Sequence, residues 1–206
     1  MPTANTGDRP QTILKFWFAQ SPSASNNHYR KAWFIKDSNF DRQVREHFLT
    51  DVEKAAAGEY DAWAINPQQT PNSAVALLLL LDQFPRNLYR GSAKSFATDP
   101  QALRVAQTLV ETGVDKTLPP AYRFFVYLPY EHSEVLAHQN RCVELMQQLN
   151  ADVPHLDDGL KGGLDYAIRH RDVIEQFGRF PHRNEILGRQ STPAEIAFLQ
   201  QPGSRF

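Results

Sequence analysis

Asp82-Gln83-Phe84-Pro85-Arg86-Asn87-Leu88-Tyr89-Arg90 closes an apolar run that begins at Val75. Glu175-Gln176-Phe177-Gly178-Arg179-Phe180-Pro181-His182-Arg183-Asn184-Glu185-Ile186-Leu187-Gly188-Arg189 repeats its Phe-Pro and Arg-Asn pairs. Proline lacks the backbone N–H and crowds the carbonyl four residues back, so it begins helices more readily than it continues them. The sequence therefore predicts a helix that ends at Phe84, and two helix-to-helix corners that each present an Arg-Asn pair. Polar side chains and unsatisfied backbone groups gather at such corners, which makes them the first place to look for a site.

Outward from these phrases, nearly every long segment reads as helix. Pro10 to Ala19 carries Ile13, Leu14, Phe16, Trp17 and Phe18, enough for a buried first helix, and a polar stretch over 20–27 follows. Asp37 or Ser38 is a candidate N-cap, with Phe40, Val44, Phe48 and Val52 at i+4 spacing and a stop at Gly58. Residues 59–72 read as a loop, with Asn72 or Ser73 capping the next helix. Asp99-Pro100 opens a helix that Gly113 stops. Pro119-Pro120 opens an aromatic helix that Pro129 breaks, and Ser133 caps a helix running from His132 to Leu149. A loop over 150–163 leads to a helix stopping at Gly178. Thr192-Pro193-Ala194-Glu195 is a capping box. No period-2 strand pattern survives. The expected class is all-α, with a flexible N-terminus over 1–9, one helical domain over 10–200 and a tail over 201–206.

Totals narrow the function. The chain has 206 residues, 41% of them hydrophobic, a formal net charge of −1 and one cysteine, Cys142. That balance supplies no global attraction to nucleic acid, and a lone cysteine excludes an internal disulfide framework. The run from Val75 to Leu81 falls far short of the roughly 20 apolar residues that span a bilayer. With no basic, apolar leader, a cytoplasmic protein without membrane contact is expected. Gly-rich phosphate loops, nucleophile elbows and dinucleotide fingerprints are missing, so no cofactor is expected.

Four guanidinium groups, Arg86, Arg179, Arg183 and Arg189, suit a carboxylate or phosphate. Asn87 and Asn184 both donate and accept. Asp82, Asp172, Glu175 and Glu185 are nearby partners, so the same residues also suit plain structural pairing. His132 and Glu134 form a candidate acid–base pair in His132-Ser133-Glu134. His138 and Cys142 share a helical stripe with Val135, Leu145 and Leu149, where a core cysteine is the better reading than a nucleophile. His170 shares a stripe with Tyr166, Ile174 and Phe177 and reads as a core histidine. His182, inside the second corner, is the most suggestive of the seven. His132, Glu134, His170 and His182 are metal-ligating types, but their spacing matches no zinc motif, and no metal is assigned.

The blocks Ile13-Leu14-Lys15-Phe16-Trp17-Phe18, Trp33-Phe34, Leu81 through Arg90, His132-Ser133-Glu134, Phe177 through Asn184 and Leu187 through Thr192 give the chain a resemblance over roughly residues 10–200. It resembles a widespread bacterial family catalogued as a domain of unknown function, with a tetratricopeptide-like all-helical fold. The resemblance implies one domain of about eight or nine helices in stacked antiparallel pairs. It implies no activity. The family's recurring polar blocks fall on Asp82, Gln83, Arg86 and Asn87, on His132, Ser133 and Glu134, and on Arg179, His182, Arg183 and Asn184.

Three functions are compatible with this reading. The first is a small-molecule site, of an enzyme or a sensor, with His132, Glu134 and His182 handling protons and Asp82, Arg86, Asn87, Arg179, Arg183 and Asn184 holding an anionic ligand. The second is a scaffold that clamps a peptide carboxylate in a groove. The third is a purely structural polar network. The first requires a deep pocket in which the two corners converge, the second an open groove with exposed aromatics, and the third that Arg86 and Arg183 are buried and fully paired with acids. Oligomeric state is not encoded in any of these features.

Overall fold

The computed structural model describes residues 9–19 and 28–204, and it is all-α, with no strand among them. The polar stretch expected over 20–27 and most of the expected flexible N-terminus lie outside the described residues. α1 spans Arg9–Phe18, α2 Ser38–Ala56, α3 Pro71–Leu88, α4 Asp99–Glu111 and α5 Pro120–Glu131. α6 spans Leu136–Asp152, the single-turn α7 Asp158–Lys161, α8 Gly163–Phe177 and α9 Pro193–Leu199. Short 3-10 turns join several of them, including Ala93–Ser95 and Pro181–Arg183.

Local chemistry sets many of the ends. The Asp37 carboxylate accepts from the backbone N–H of Asn39 (2.8 Å) and Phe40 (3.2 Å), satisfying two donors that a helix start leaves open. At α9, Thr192 Oγ1 accepts from the Glu195 N–H, while the Glu195 carboxylate accepts from the Thr192 N–H at 2.7 Å. α8 ends at Gly178, whose φ of 68° is the left-handed conformation that costs glycine nothing.

Four expected boundaries are corrected. α3 does not end at Phe84; it runs through Pro85 to Leu88. Proline leaves the carbonyl four residues back, that of Leu81, without its helical donor. The Thr98 hydroxyl donates to that oxygen at 2.5 Å, so the helix continues without a buried orphan. Pro129 likewise lies inside α5, which ends at Glu131. Thr70, not Asn72 or Ser73, is the residue preceding α3, with Pro71 in its first turn. α6 starts at Leu136, so His132-Ser133-Glu134 forms a connector rather than a helix start.

α3 is apolar nearly all round, and Ala74 through Pro85 are all buried. A helix without a polar face must sit inside the fold. It packs against α1, α2, α4 and α5, while α6 packs between α5 and α8. α8 approaches α5 closely at Gly163, where a Cβ would lie 2.3 Å from the Phe124 ring. Trp17, Phe84, Phe125 and Tyr127 are among the largest fully buried side chains of the main core. A smaller cluster, Val173, Ile174 and Phe180 with Phe177 and Phe198, anchors the C-terminal segment. Cys142 is fully buried, donates to the Tyr127 carbonyl, and has its thiol pKa pushed up by burial, as a core cysteine should. Val135 and Tyr166, expected on buried stripes, are instead half exposed. At the C-terminal end, Arg169 donates to the Gly203 carbonyl and Ser204 is buried. No helix among the described residues is long and apolar enough to cross a membrane.

Candidate functional site

The two Arg-Asn phrases converge on one aspartate. The last turn of α3 holds Arg86, whose guanidinium donates twice to the Asp99 carboxylate at the start of α4, at 2.9 and 3.1 Å. Arg86 also donates to the Asp82 carbonyl at 2.5 Å and lies 3.4 Å from the Asp82 carboxylate. Arg183, in the turn before α9, reaches the same Asp99 carboxylate at a longer 3.4 Å. His132, at the end of α5, contacts the Asp82 carboxylate through Nδ1 at 2.7 Å. His132, Asp82, Arg86, Asp99 and Arg183 thus form one continuous chain of contacts.

The electrostatics separate its members. Asp82 is fully buried. Burial pushes its carboxyl up, but Arg86 and then His132 outweigh that and hold it at about 2. An ionised Asp82 takes the Nδ1 hydrogen of His132, so the neutral ring carries its lone pair on Nε2. Burial, followed by Arg86, lowers the His132 pKa despite Asp82. Glu131, 6% exposed, behaves oppositely: burial and then the charge of Asp82 push its carboxyl up to about 8. His170 lies 3.7 Å from Glu131, and burial pushes its pKa down to about 3. Two carboxyls driven to opposite protonation states in one cluster is the pattern of acid–base sites.

Arg183 differs from Arg86, the other arginine on Asp99. It is 7% exposed, and its Nε–H has no hydrogen-bond partner among the described residues. Its guanidinium carbon lies over the Phe96 ring at 4.5 Å and the Phe180 ring at 4.6 Å. Burial, only partly offset by Asp99, lowers its pKa to about 10. One carboxylate oxygen of Glu131, Oε2, also lacks a partner among the described residues.

The other candidates surround this centre or lie away from it. Glu134 accepts twice from Arg189, at 2.7 and 3.0 Å, and accepts the Phe180 N–H at 2.8 Å, which fixes the ring beneath Arg183. The His182 ring lies 5.6 Å from the Phe180 ring. Asn184 donates to Ser191 and accepts from Arg189, stitching the loop that follows. Arg179 is paired with Glu195 at the start of α9. Asn87 donates to Asp41 of α2 at 2.7 Å, away from Asp99.

Sequence reasoning gave no site role to Asp99, Glu131, Phe96 or Phe180. A signal existed for Glu131, a charge that closes the apolar and aromatic run from Phe124 to Tyr130. Asp99 carried only the signature of a helix cap. Among the described residues no group of three or more His, Cys, Asp and Glu side chains lies where it could hold a metal ion. An open depression of about 490 Å³, lined in part by Lys116, Arg123, Arg141 and Glu144, borders none of the candidate residues.

The molecule is thus an all-α protein whose two proline-marked phrases close around a buried ionic cluster. Residues 13–203 match the family described as bacterial protein of unknown function (DUF924), and the chain belongs to that family. A solved structure, that of the protein of unknown function ATU0120 from Agrobacterium tumefaciens, is 38% identical, with a TM-score of 0.79 over 95% of this chain and 99% of that one. No curated protein matches the chain.

Proposed function

We propose that the cluster binds a small anionic molecule, with Arg183 as its anchor and the His132–Asp82 pair beside it to exchange a proton with the bound molecule. The observation that carries this reading is the unpartnered Nε–H of Arg183 on a residue only 7% exposed. A buried donor without a partner costs about 1–3 kcal/mol, more when charged, so its presence calls for a cause, and a bound anion would supply one. Arg86, His132 and Asp99 keep 20%, 14% and 14% of their side-chain surface exposed, so the cluster borders solvent. Asp82 supports His132 by fixing its tautomer, leaving Nε2 as the proton acceptor.

The complete pairing of Arg86 with Asp82 and Asp99 favours a second reading, a purely structural network. Thermal unfolding across a panel of anions separates the two. A ligand at one hundred times its Kd adds about 2.7 kcal/mol of stability. Binding predicts such a shift in the wild type and none in a folded Arg183→Met variant. No shift with any anion would overturn the binding reading.

A further inference from the structure

Resting on the anion site just described, we propose that residues 179–199 form a strap, hinged at Gly178 and latched by Arg189 on Glu134, that swings off the cluster to let the ligand reach Arg183. Enclosure requires a moving part. The Arg183 Nε–H is buried, and the open depression lined by Arg123 and Arg141 does not reach it. A molecule meets this donor only when one wall of the site withdraws.

The two walls differ in what holds them. On one side Asp99 begins α4, whose Ala102, Val105, Ala106 and Leu109 belong to the main core. On the other, Phe180 and Arg183 belong to the strap. Its apolar anchorage is Phe180 and Phe198 against Val173, Ile174 and Phe177 of α8, a cluster separate from that core. His170 of α8 adds a ring contact to Phe180 at 5.5 Å, and α9 packs on the turn Pro181–Arg183, inside the strap itself. Polar bonds carry the strap across to the rest of the molecule. Glu134 accepts from the Phe180 N–H at 2.8 Å and from Arg189 at 2.7 and 3.0 Å, and Asp99 accepts from Arg183 at 3.4 Å. Arg189 and Glu134 keep 24% and 28% of their side-chain surface exposed, so water competes for the latch. A segment with little apolar burial and solvent-reachable bonds opens before the core does. Gly178 joins it to α8 in the left-handed conformation, with no described atom within 4 Å of where a Cβ would stand, so the backbone there is free to turn.

Hydrogen exchange on the full ¹⁵N-labelled chain, with no anion added, tests the strap apart from the binding reading, which stands or falls on the thermal shifts above. Two protons report opening, each corrected for its intrinsic rate. One is the Phe180 backbone N–H, bonded across the latch to Glu134. The other is the Arg183 Nε–H, assigned by its loss in Arg183→Lys. The amides of Leu80 in α3 and Ala167 in α8, both fully buried, report the core and the far side of the hinge. The two strap protons should share one opening constant, at least about tenfold larger than those of Leu80 and Ala167. Arg189→Met, which breaks the latch but keeps Glu134 as acceptor for Phe180, should raise both strap constants by about tenfold or more. An Arg183 Nε–H that Arg189→Met leaves unchanged would mean that a smaller fluctuation exposes it, and would overturn the strap. Strap protons that exchange only as readily as Leu80 would mean opening by global unfolding, and would overturn it as well. Ala167 exchanging in step with the strap would overturn the hinge at Gly178.

Discussion

Phe84-Pro85-Arg86-Asn87 and Phe180-Pro181-His182-Arg183-Asn184 look alike in sequence and behave differently in the fold. The first lies within α3 and the second in a 3-10 turn. The helix aims Arg86 at two carboxylates, and both of its Nη atoms are engaged. The turn sets Arg183 over two aromatic rings, with one long contact to Asp99 and an idle Nε–H. A guanidinium that satisfies buried acids belongs to the scaffold, whereas one held in place by rings keeps donors for something else. The two arginines share Asp99, so each can be removed against the background of the other.

The largest effect is expected at Arg86. Arg86→Met keeps most of the side-chain volume but leaves Asp82, with no exposed surface, facing only His132 and Gln83. Breaking one partner of a buried pair costs about 3–5 kcal/mol, and urea unfolding should show a loss of that order. A loss under about 1 kcal/mol, the range of exposed pairs, would erase the contrast with Arg183.

Glu131 gives the next effect, through its pH dependence. Its carboxyl rises from 4.5 to about 8 on folding, so the native state holds the proton more tightly than the unfolded chain. The sign follows directly: its stabilising contribution is complete below about 4.5 and disappears as pH climbs toward 8. At about 1.4 kcal/mol per unit, the slope amounts to a few kcal/mol. Unfolding free energies of wild type and Glu131→Gln, measured from pH 5 to 8, should converge at the acid end and diverge in favour of the glutamine at the alkaline end. Parallel curves would remove Glu131 from the cluster's proton balance. Asp82 has the opposite sign: held at about 2, it stabilises above the ordinary carboxylate range, and that contribution fades as pH falls through 2.

Much of the helical pattern is legible in the sequence. Asp37, Phe40, Val44, Phe48 and Val52 announce α2 through a local cap and a local period. Thr192 and Glu195 announce α9, and Gly178 ends α8, for equally local reasons. Pro85 misled because the compensation is not local. The donor that rescues the Leu81 carbonyl is Thr98, which lies beyond the end of α3 and a following turn. The candidate site was legible in part. Arg86, His132, Arg183 and Asp82 carry chemistry in their residue types, and the repeated phrase marked them. Asp99, which joins the two phrases, has a sequence role as a helix start that hides its second role. Asn87 and Arg179 share the marked phrases, yet helix rotation and the α9 cap send them to Asp41 and Glu195.

That non-local rescue is itself measurable, at the next level down. Thr98→Val removes the donor and leaves a buried carbonyl unsatisfied, at a cost of about 1–3 kcal/mol. Pro85→Ala restores the helical N–H to the same oxygen, so the double variant should recover most of the loss. A simple sum of the two single effects would mean that the hydroxyl does not compensate for the proline.

The smallest stability effect is expected at Arg183, and it is the sharpest test of the contrast. Arg183→Met keeps a long apolar side chain between Phe96 and Phe180 and leaves Asp99 doubly bonded to Arg86. The variant forfeits a cation–π attraction of about 0.5–2 kcal/mol. It also relieves an idle buried donor, worth about 1–3 kcal/mol in the other direction. The two nearly cancel, so unfolding in urea should shift by no more than about 1 kcal/mol of either sign, within the spread of ordinary substitutions. The same variant should lose all stabilisation by anions. Arg86→Met costing several kcal/mol while Arg183→Met costs almost none would assign the first arginine to the fold and the second to the ligand. Similar losses at both would make Arg183 another strut of one structural network, whatever its idle Nε–H suggests.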